Sequence, residues 1–168
     1  MNLSLETLLQ LCILLPVLAT IGIVAFRRHQ NLREAVSIFT SLFVFYSVVS
    51  IYLGLQSGEI ISVHWLQILP GLSVSFTVDP LGMIFALIAS FLWLVTIIYS
   101  IGYMRGHNED HQTRFYCCFA IAIGGVMGVA FADNLLTLFI FYEVLTLSTY
   151  PLVTHSGTEA AKKGGRIY

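Results

Sequence analysis

The chain has 168 residues, of which 57% are hydrophobic and only 10% are charged. A soluble globular domain carries about 25% charged residues, so this composition is typical of an integral membrane protein. The net charge of −1 gives no electrostatic reason to expect a nucleic-acid partner. The three cysteines do not make a disulfide framework or a metal-ligand spacing, and we expect no metal and no cofactor.

Five apolar runs are long enough to cross a bilayer, which takes about 20 residues. In chain order they predict helices over residues 7–26, 35–55, 80–104, 115–132 and 134–154, and the start of a sixth helix near residue 160. The first run is too long for a signal peptide and follows the acidic segment MNLSLE, so we expect a retained helix. The predicted class is an all-α integral membrane protein.

The longest connection, residues 56–79, lies between the second and third predicted helices. Residues 72–79 within it alternate between apolar and polar side chains, which is a strand pattern. The preceding Pro70-Gly71 is a turn signal, and residues 60–66 are the candidate partner strand. We therefore expect a short extracytoplasmic β-hairpin.

Basic residues fall on only one side of this five-helix layout, and the other side carries only acidic charges. The positive-inside rule then places the N-terminus outside and the C-terminus in the cytoplasm. We expect a multi-pass protein of the inner (plasma) membrane in this orientation. The basic residues are Arg27, Arg28, Arg33, Arg105, Arg114, Lys162, Lys163 and Arg166.

The fourth predicted helix contains Gly124-Gly125-Val-Met-Gly128. Its G-x-x-x-G spacing lets helices approach closely. We expect tight packing inside a bundle, which such a spacing indicates more often than a dimer interface.

Glu143 lies in the middle of the fifth apolar run. An ionisable side chain at membrane depth costs roughly 2.5–3.5 kcal/mol on insertion scales, so Glu143 is expected to face protein or a water-filled cavity. The functional interpretation is a proton relay or an ion site. The structural alternative is a protonated carboxyl group that bonds a neighbouring helix.

Helical spacing predicts that Thr146 and Tyr150 share the face of Glu143, with Thr137 near the same stripe. These polar groups could bond a carboxyl group or order a short chain of water molecules. His155, at the inner end of the helix, could feed protons toward Glu143, and the alternative is an interfacial histidine.

Pro151 removes one helical hydrogen bond and predicts a kink near the cytoplasmic end of the fifth helix. The carbonyl of Leu147 loses its donor. The hydroxyls of Ser148 and Thr149 could partly satisfy this carbonyl. A kinked, carboxylate-bearing helix fits an ion path, although prolines also occur in inert membrane helices.

Six segments between Phe76 and the end of the sequence resemble the antiporter-like subunits shared by Mrp-type cation/proton antiporters, respiratory complex I and membrane-bound hydrogenases. The sequence around Glu143 is most similar to the D-like group of Mrp subunits, ahead of the hydrogenase-linked and complex I relatives. The segments are Phe76-Thr-Val-Asp-Pro-Leu81, Tyr99-Ser-Ile-Gly-Tyr-Met104, Arg114-Phe-Tyr116, Phe131-Ala-Asp-Asn-Leu-Leu-Thr-Leu-Phe-Ile-Phe-Tyr-Glu-Val-Leu-Thr-Leu-Ser-Thr-Tyr-Pro-Leu-Val153, Thr154-His-Ser-Gly-Thr158 and Gly164-Gly-Arg-Ile-Tyr168.

The resemblance implies the opening part of a longer antiporter-like helical bundle. Residues 1–114 would form three N-terminal helices with their loops, and residues 115–168 would begin the proton-translocation domain. The resemblance also implies that Glu143 belongs to a proton path and pairs with a lysine on a seventh helix, which lies outside this sequence. We therefore expect a gene fragment, a split subunit or an incomplete sequence.

The expected function is that of a membrane subunit in a proton-translocating or cation/proton antiporter complex, moving protons through Glu143. Its expected partners are other membrane subunits, the lipid bilayer, protons and Na⁺. The alternatives are a non-transporting N-terminal fragment, a structural or assembly subunit, or a proton-pumping subunit of complex I or of a membrane hydrogenase. The sequence has no redox-cofactor motif, so within an NADH:quinone oxidoreductase or hydrogenase it would be a non-redox subunit.

Overall fold

The computed structural model describes residues 3–107, 109–155 and 157–167; the motif residues Ser156 and Tyr168 lie outside these ranges. Within them, helices α1 to α5 are long and apolar enough to span a membrane, which confirms the predicted crossings. The elements are α1 Leu5–Ala25, α2 Gln30–Gln56, β1 Ser62–Leu69, β2 Leu72–Thr77, α3 Pro80–Gly106, α4 Gln112–Ala130, α5 Leu135–Val153 and α6 Glu159–Ile167.

Side-chain caps begin several helices, among them α3 and α5. Asp79 accepts a hydrogen bond from the Gly82 N–H at 2.7 Å, and Pro80 takes the first helical position, where its missing N–H is not needed. Asn134 accepts from the Thr137 N–H at 2.9 Å and begins α5. α2 begins at Gln30, five residues before the apolar run predicted, because the run marks only the part of a helix that hydrocarbon surrounds.

Helix α4 packs against α1, α3 and α5, and its glycines make the close contacts. Gly124 faces α1. A Cβ atom on Gly125 would lie 3.2 Å from the backbone nitrogen of Leu145, and one on Gly128 would overlap the ring of Phe141. These glycines therefore let α4 and α5 touch, as predicted.

The hairpin is antiparallel, and Gly71 adopts the left-handed conformation (φ +83°) that its tight turn requires. The outer edge of β2 pairs with the connection between α4 and α5, where Phe76 bridges Ala132 and the Thr77 N–H donates to the Phe131 carbonyl at 2.9 Å. The predicted hairpin is confirmed, and it is fastened to the start of α5.

Side chains complete this junction. Ser75 Oγ donates to Asp133 at 2.9 Å, and the Asn134 amide donates to the Ser73 carbonyl at 2.8 Å. Phe76 also packs edge-to-face on Phe141 of α5, with ring centroids 5.4 Å apart. The hairpin thus holds the first half of α5 in place.

The connections divide between two ends of the bundle. The hairpin and the α4–α5 connection pack together at one end, here called the hairpin face. The α1–α2 and α3–α4 connections, the end of α5 and α6 line shared cavities at the opposite end, here called the basic face. The basic residues lie at the basic face, which agrees with the predicted alternation of loops.

Replacing Gly128 with alanine should destabilise the bundle by about 1–3 kcal/mol, because the new methyl group meets the Phe141 ring, which the hairpin already holds. Gly102→Ala is the matched control, since nothing lies within 4 Å of its Cβ position and alanine favours helix by up to about 1 kcal/mol. Thermal unfolding in detergent would compare them. Equal midpoints for the two variants would contradict the packing described for α4 and α5.

Candidate functional site

Among the described residues, helix α5 packs mainly on one side, and α6 contacts it only near its end, at Tyr150 and Thr154. Just 11% of its spanning segment is buried, compared with 28% to 44% in the other four spanning helices. Its inner face, with the half-buried Phe141 and Leu145, contacts α4. Glu143 lies on the opposite face and is exposed. The described residues therefore do not provide the burial that the sequence predicts for Glu143.

Two of the predicted supporting residues share the exposed face with Glu143. Thr146 lies three residues on, and its hydroxyl donates to the Tyr142 carbonyl at 3.0 Å. Tyr150 lies seven residues on and is exposed. None of the hydrogen bonds or ion pairs found within residues 3–107, 109–155 and 157–167 involves the Glu143 carboxylate.

Thr137 lies away from Glu143, contrary to the expectation of a shared stripe. It is completely buried beneath the hairpin, where its hydroxyl accepts from the Ser75 N–H at 3.1 Å and donates to Asn134. Six residues correspond to about 600° of helical rotation, which carries Thr137 round toward the α4 side. Its role is to anchor the hairpin on α5.

Helix α5 continues through Pro151 to Val153. The hydrogen bonds described for the neighbouring hydroxyls go to other carbonyls than that of Leu147, which the prediction names. Ser148 and Thr149 both donate to the Leu145 carbonyl at 2.9 Å. Within a helix, Ser and Thr hydroxyls commonly donate to a carbonyl of the preceding turn.

A polar cavity of about 530 Å³ opens at the basic face beside the end of α5. It reaches Tyr150, which lies two helical turns, about 10 Å, from Glu143 on the same helix face. The cavity therefore adjoins the stripe that carries Glu143. Its lining residues are His107, Glu109, Asp110, His111, Arg114, Tyr150, Thr154, His155, Gly157 and Lys162.

His155 forms part of the wall of this polar cavity. Its ring packs edge-on to Phe115 at 5.6 Å, and neither ring nitrogen has a hydrogen-bond partner among the described residues. Desolvation by burial lowers the pKa of His155, and the positive charge of Arg114 lowers it further, while Glu109 opposes them. Both ring nitrogens are shielded from solvent, so the ring of His155 must turn toward the cavity before it can exchange a proton there.

An ion cluster, buried except for Arg105, joins the start of α2, the end of α3 and the start of α4 at the basic face. Arg105 donates from Nε to Glu34 at 3.1 Å and from Nη2 to the other carboxylate oxygen, which makes a two-pronged ion pair. Arg33 is only 4% exposed and donates to Gln112 at 2.7 Å and to Thr113 at 3.2 Å. We call Arg33, Glu34, Arg105 and Gln112 the ion clamp.

The ion clamp corrects one part of the sequence analysis. Hydropathy places Arg33 and Arg105 in connections, whereas they lie in the first turn of α2 and the last turn of α3. The apolar run begins the second helix only at Ala35 and so excludes the Arg33-Glu34 pair. In the sequence, the feature that could have indicated the clamp is the pair of adjacent opposite charges, Arg33 and Glu34, directly before an apolar run.

In the described part of the chain, no three His, Cys, Asp or Glu side chains are grouped so that they could hold a metal ion. Cys12 is buried, and Cys117 and Cys118 are half-buried, with all three as free thiols.

Comparisons with known proteins agree with this architecture. The family described as the N-terminus of NADH-ubiquinone oxidoreductase (complex I) chain 5 matches residues 65–116. The A-type subunit of the Na⁺/H⁺ antiporter from Alkalihalophilus pseudofirmus is 31% identical over 106 residues, which are 62% of this chain and 13% of that relative. The A1-type subunit of the Na⁺/H⁺ antiporter from Staphylococcus aureus is 30% identical over 84 residues, which are 50% of this chain and 10% of that relative.

Solved structures share the fold. A chain of the Mrp complex from Dietzia sp. superposes with a TM-score of 0.80 at 21% identity, covering 99% of this chain and 31% of that one. A chain of the membrane-bound sulfane sulfur reductase, an archaeal respiratory membrane complex, gives a TM-score of 0.70 at 19% identity, covering 85% of this chain and 22% of that one. At such identities the superpositions show the fold alone.

The molecule is a multi-pass membrane protein built as a helical bundle. It carries an antiporter-like region related to the N-terminus of complex I chain 5, which confirms the family resemblance. The chain covers between 10% and 31% of the length of these relatives. The two named relatives are both A-type subunits, so the ranking of the D-like branch first stays a prediction.

Replacing Glu34 with glutamine should destabilise the bundle by roughly 3 kcal/mol or more, because Arg33 would remain buried without a neighbouring carboxylate. Glutamine keeps the shape of the side chain and removes only its charge. Glu59→Gln, at an exposed position after α2, is the matched control and should change stability by less than about 0.5 kcal/mol. Thermal unfolding in detergent measures both, and a similar small loss for Glu34→Gln would refute the clamp.

His155 should titrate below the ordinary histidine pKa of 6.5. The unfolded chain then takes up this proton at a higher pH than the folded chain does. The free energy of unfolding should therefore decrease as the pH falls below 6.5. NMR of ring-labelled histidines in micelles would measure the pKa. Arg114→Gln should raise the pKa, whereas Lys163→Gln, on α6, should not. A His155 pKa at or above 6.5 that does not change in the Arg114→Gln variant would contradict the burial of the ring.

Proposed function

We propose that this chain is a membrane subunit of an Mrp-like or complex I-like ion-translocating complex, and that protons move along the exposed face of α5 through Glu143. The observation that carries the proposal is an ionisable side chain in the middle of a spanning helix, with no partner among the described residues. Such residues mark ion pathways in membrane proteins.

The geometry at the basic face supports a route for protons. The polar cavity supplies several proton-exchanging groups, and His155 in its wall has both ring nitrogens free of described hydrogen bonds. Tyr150 borders the cavity, and Thr146 lies between Tyr150 and Glu143 on the same face. In the proposed route, the ring of His155 turns out of the cavity wall, where its nitrogens are shielded, and exchanges protons with water in the cavity. The two hydroxyls then order water between the cavity and Glu143.

Glu143 needs a covering other than lipid. A carboxylate facing hydrocarbon makes no hydrogen bonds, and the penalty falls when the group faces protein or water. The proposed covering is protein from outside this sequence, bearing a cationic group that pairs with Glu143. The lysine implied by the family resemblance is the candidate for that group, and this chain covers only a small part of its relatives.

The remaining features of the complex belong to the same proposal. The basic face is assigned to the cytoplasm of the inner membrane by the positive-inside rule. Na⁺ is the proposed coupling ion, because two relatives are named Na⁺/H⁺ antiporter subunits. The D-like branch of Mrp subunits stays the first proposal, with the A-like branch of the two named relatives beside it. The division into residues 1–114 and 115–168 is retained as the boundary of the transport domain.

A structural role is the competing function. The ion clamp, the glycines of α4 and the hairpin hold the bundle together without using Glu143. A non-transporting fragment or assembly subunit would need these contacts and not the carboxylate.

Glu143→Gln should abolish proton-coupled transport by the assembled complex while leaving its assembly intact, because glutamine keeps the shape and cannot release a proton. The measurement is proton-coupled Na⁺ flux in membrane vesicles, with complex content determined by gel. Tyr150→Phe, which removes only a hydroxyl, should slow the flux without abolishing it.

Glu59→Gln is the control, since it removes a carboxylate at an exposed position on the hairpin side of α2. Normal flux through an assembled Glu143→Gln complex would refute the proton path and leave the structural role.

A further inference from the structure

A second cavity, of about 730 Å³, lies at the basic face between the α1–α2 connection and the start of α4. We call it the basic cavity. Arg27, Arg28, Arg33 and Arg114 line it, and Glu109 and Asp110 are its only acidic lining residues in the described chain. Its arginines therefore outnumber its carboxylates two to one, and it favours an anion.

The N-terminus of α4 adds to this field. His111, which precedes the helix, has a left-handed conformation (φ 57°) and makes no side-chain cap. Gln112 and Thr113 begin the helix and line the basic cavity. The first N–H groups of a helix have no acceptor within it and carry partial positive charge, which is a common arrangement for binding phosphate.

Arg33 supplies the independent observation. It is 4% exposed and lines the basic cavity, yet its Nε has no hydrogen-bond partner among the described residues. Its nearest carboxylate, Glu34, lies 3.7 Å away and is engaged by both prongs of Arg105. The Tyr116 ring also faces the guanidinium, with its centroid 5.2 Å from Cζ, so Arg33 shares its one carboxylate with Arg105 and keeps one N–H unpaired among the described residues.

The position of the basic cavity selects the source of the anion. Val24 and Cys117, from the spanning helices α1 and α4, complete its wall. The cavity therefore lies where spanning helices end, which is the level of lipid headgroups. Val24 and Ile21 are exposed on α1 and offer an apolar surface along which an acyl chain can lie.

We propose that the basic cavity binds the phosphate headgroup of an anionic phospholipid. The phosphate contacts Arg27 and Arg28 and faces the N-terminus of α4, and the acyl chains lie against α1. The α3–α4 connection borders both cavities through His111 and Arg114. Headgroup binding would therefore also hold the rim of the polar cavity in place. This inference does not depend on proton transport through Glu143.

The test is native mass spectrometry of the purified chain with added phosphatidylglycerol, against phosphatidylcholine of the same acyl composition. We expect the chain to retain phosphatidylglycerol preferentially. Arg27→Gln combined with Arg28→Gln should weaken that retention at least about tenfold, since each basic side chain near the membrane surface adds to the attraction. Both arginines are exposed, so the fold should tolerate the change, which thermal unfolding in the same detergent would verify.

Lys162→Gln combined with Lys163→Gln is the charge-matched control, because it removes two positive charges from α6 outside the basic cavity. It should leave retention unchanged. Equal losses in both double variants would show general surface attraction and overturn the proposal. Displacement of the lipid by millimolar inorganic phosphate would indicate a free-phosphate site instead. Unchanged lipid retention with loss of a co-purifying protein would assign the cavity to a protein partner.

Discussion

An ionisable side chain is expensive in hydrocarbon, and this constraint governs where the charges of the chain lie. The basic residues collect at one end of the bundle. Arg33 and Glu34 are buried there only because Arg105 and Gln112 provide charge-assisted partners. Glu143 departs from the pattern, since it is exposed in the middle of a spanning helix. The same constraint that places the other charges therefore requires a covering for the outer face of α5.

The described structure holds α5 mainly by its inner face. Gly125 and Gly128 let α4 approach closely, and the hairpin fixes the first half of α5 through Phe141 and the buried Thr137. Around Glu143 the outer face has no partner among the described residues, and α6 contacts this face only near Tyr150. An element held rigidly on one side, with a carboxylate on the other, is suited to presenting that carboxylate to a partner at a fixed depth.

Much of this architecture is predictable, because hydropathy, turn residues and glycine spacing act locally. The five spans, the hairpin turn at Gly71 and the packing of α4 all follow from short segments. The ion clamp escapes prediction because its partners lie about 70 to 80 residues apart in the chain, and no local pattern reports such pairing. Thr137 lies off the Glu143 stripe because six residues turn a helix by about 600°, and the hairpin then binds its hydroxyl through a contact that exists only after folding.

The central claim is that protein, and not lipid, covers the face of α5 that bears Glu143. The most direct measurement places a photo-crosslinking amino acid at Phe139, one turn before Glu143, in the assembled complex in its membrane. Ile98, similarly exposed on the uncharged outer face of α3, is the reference (59% against 62%). The account predicts crosslinks from position 139 to protein, in excess of any from position 98. Crosslinks from position 139 to lipid alone would contradict it.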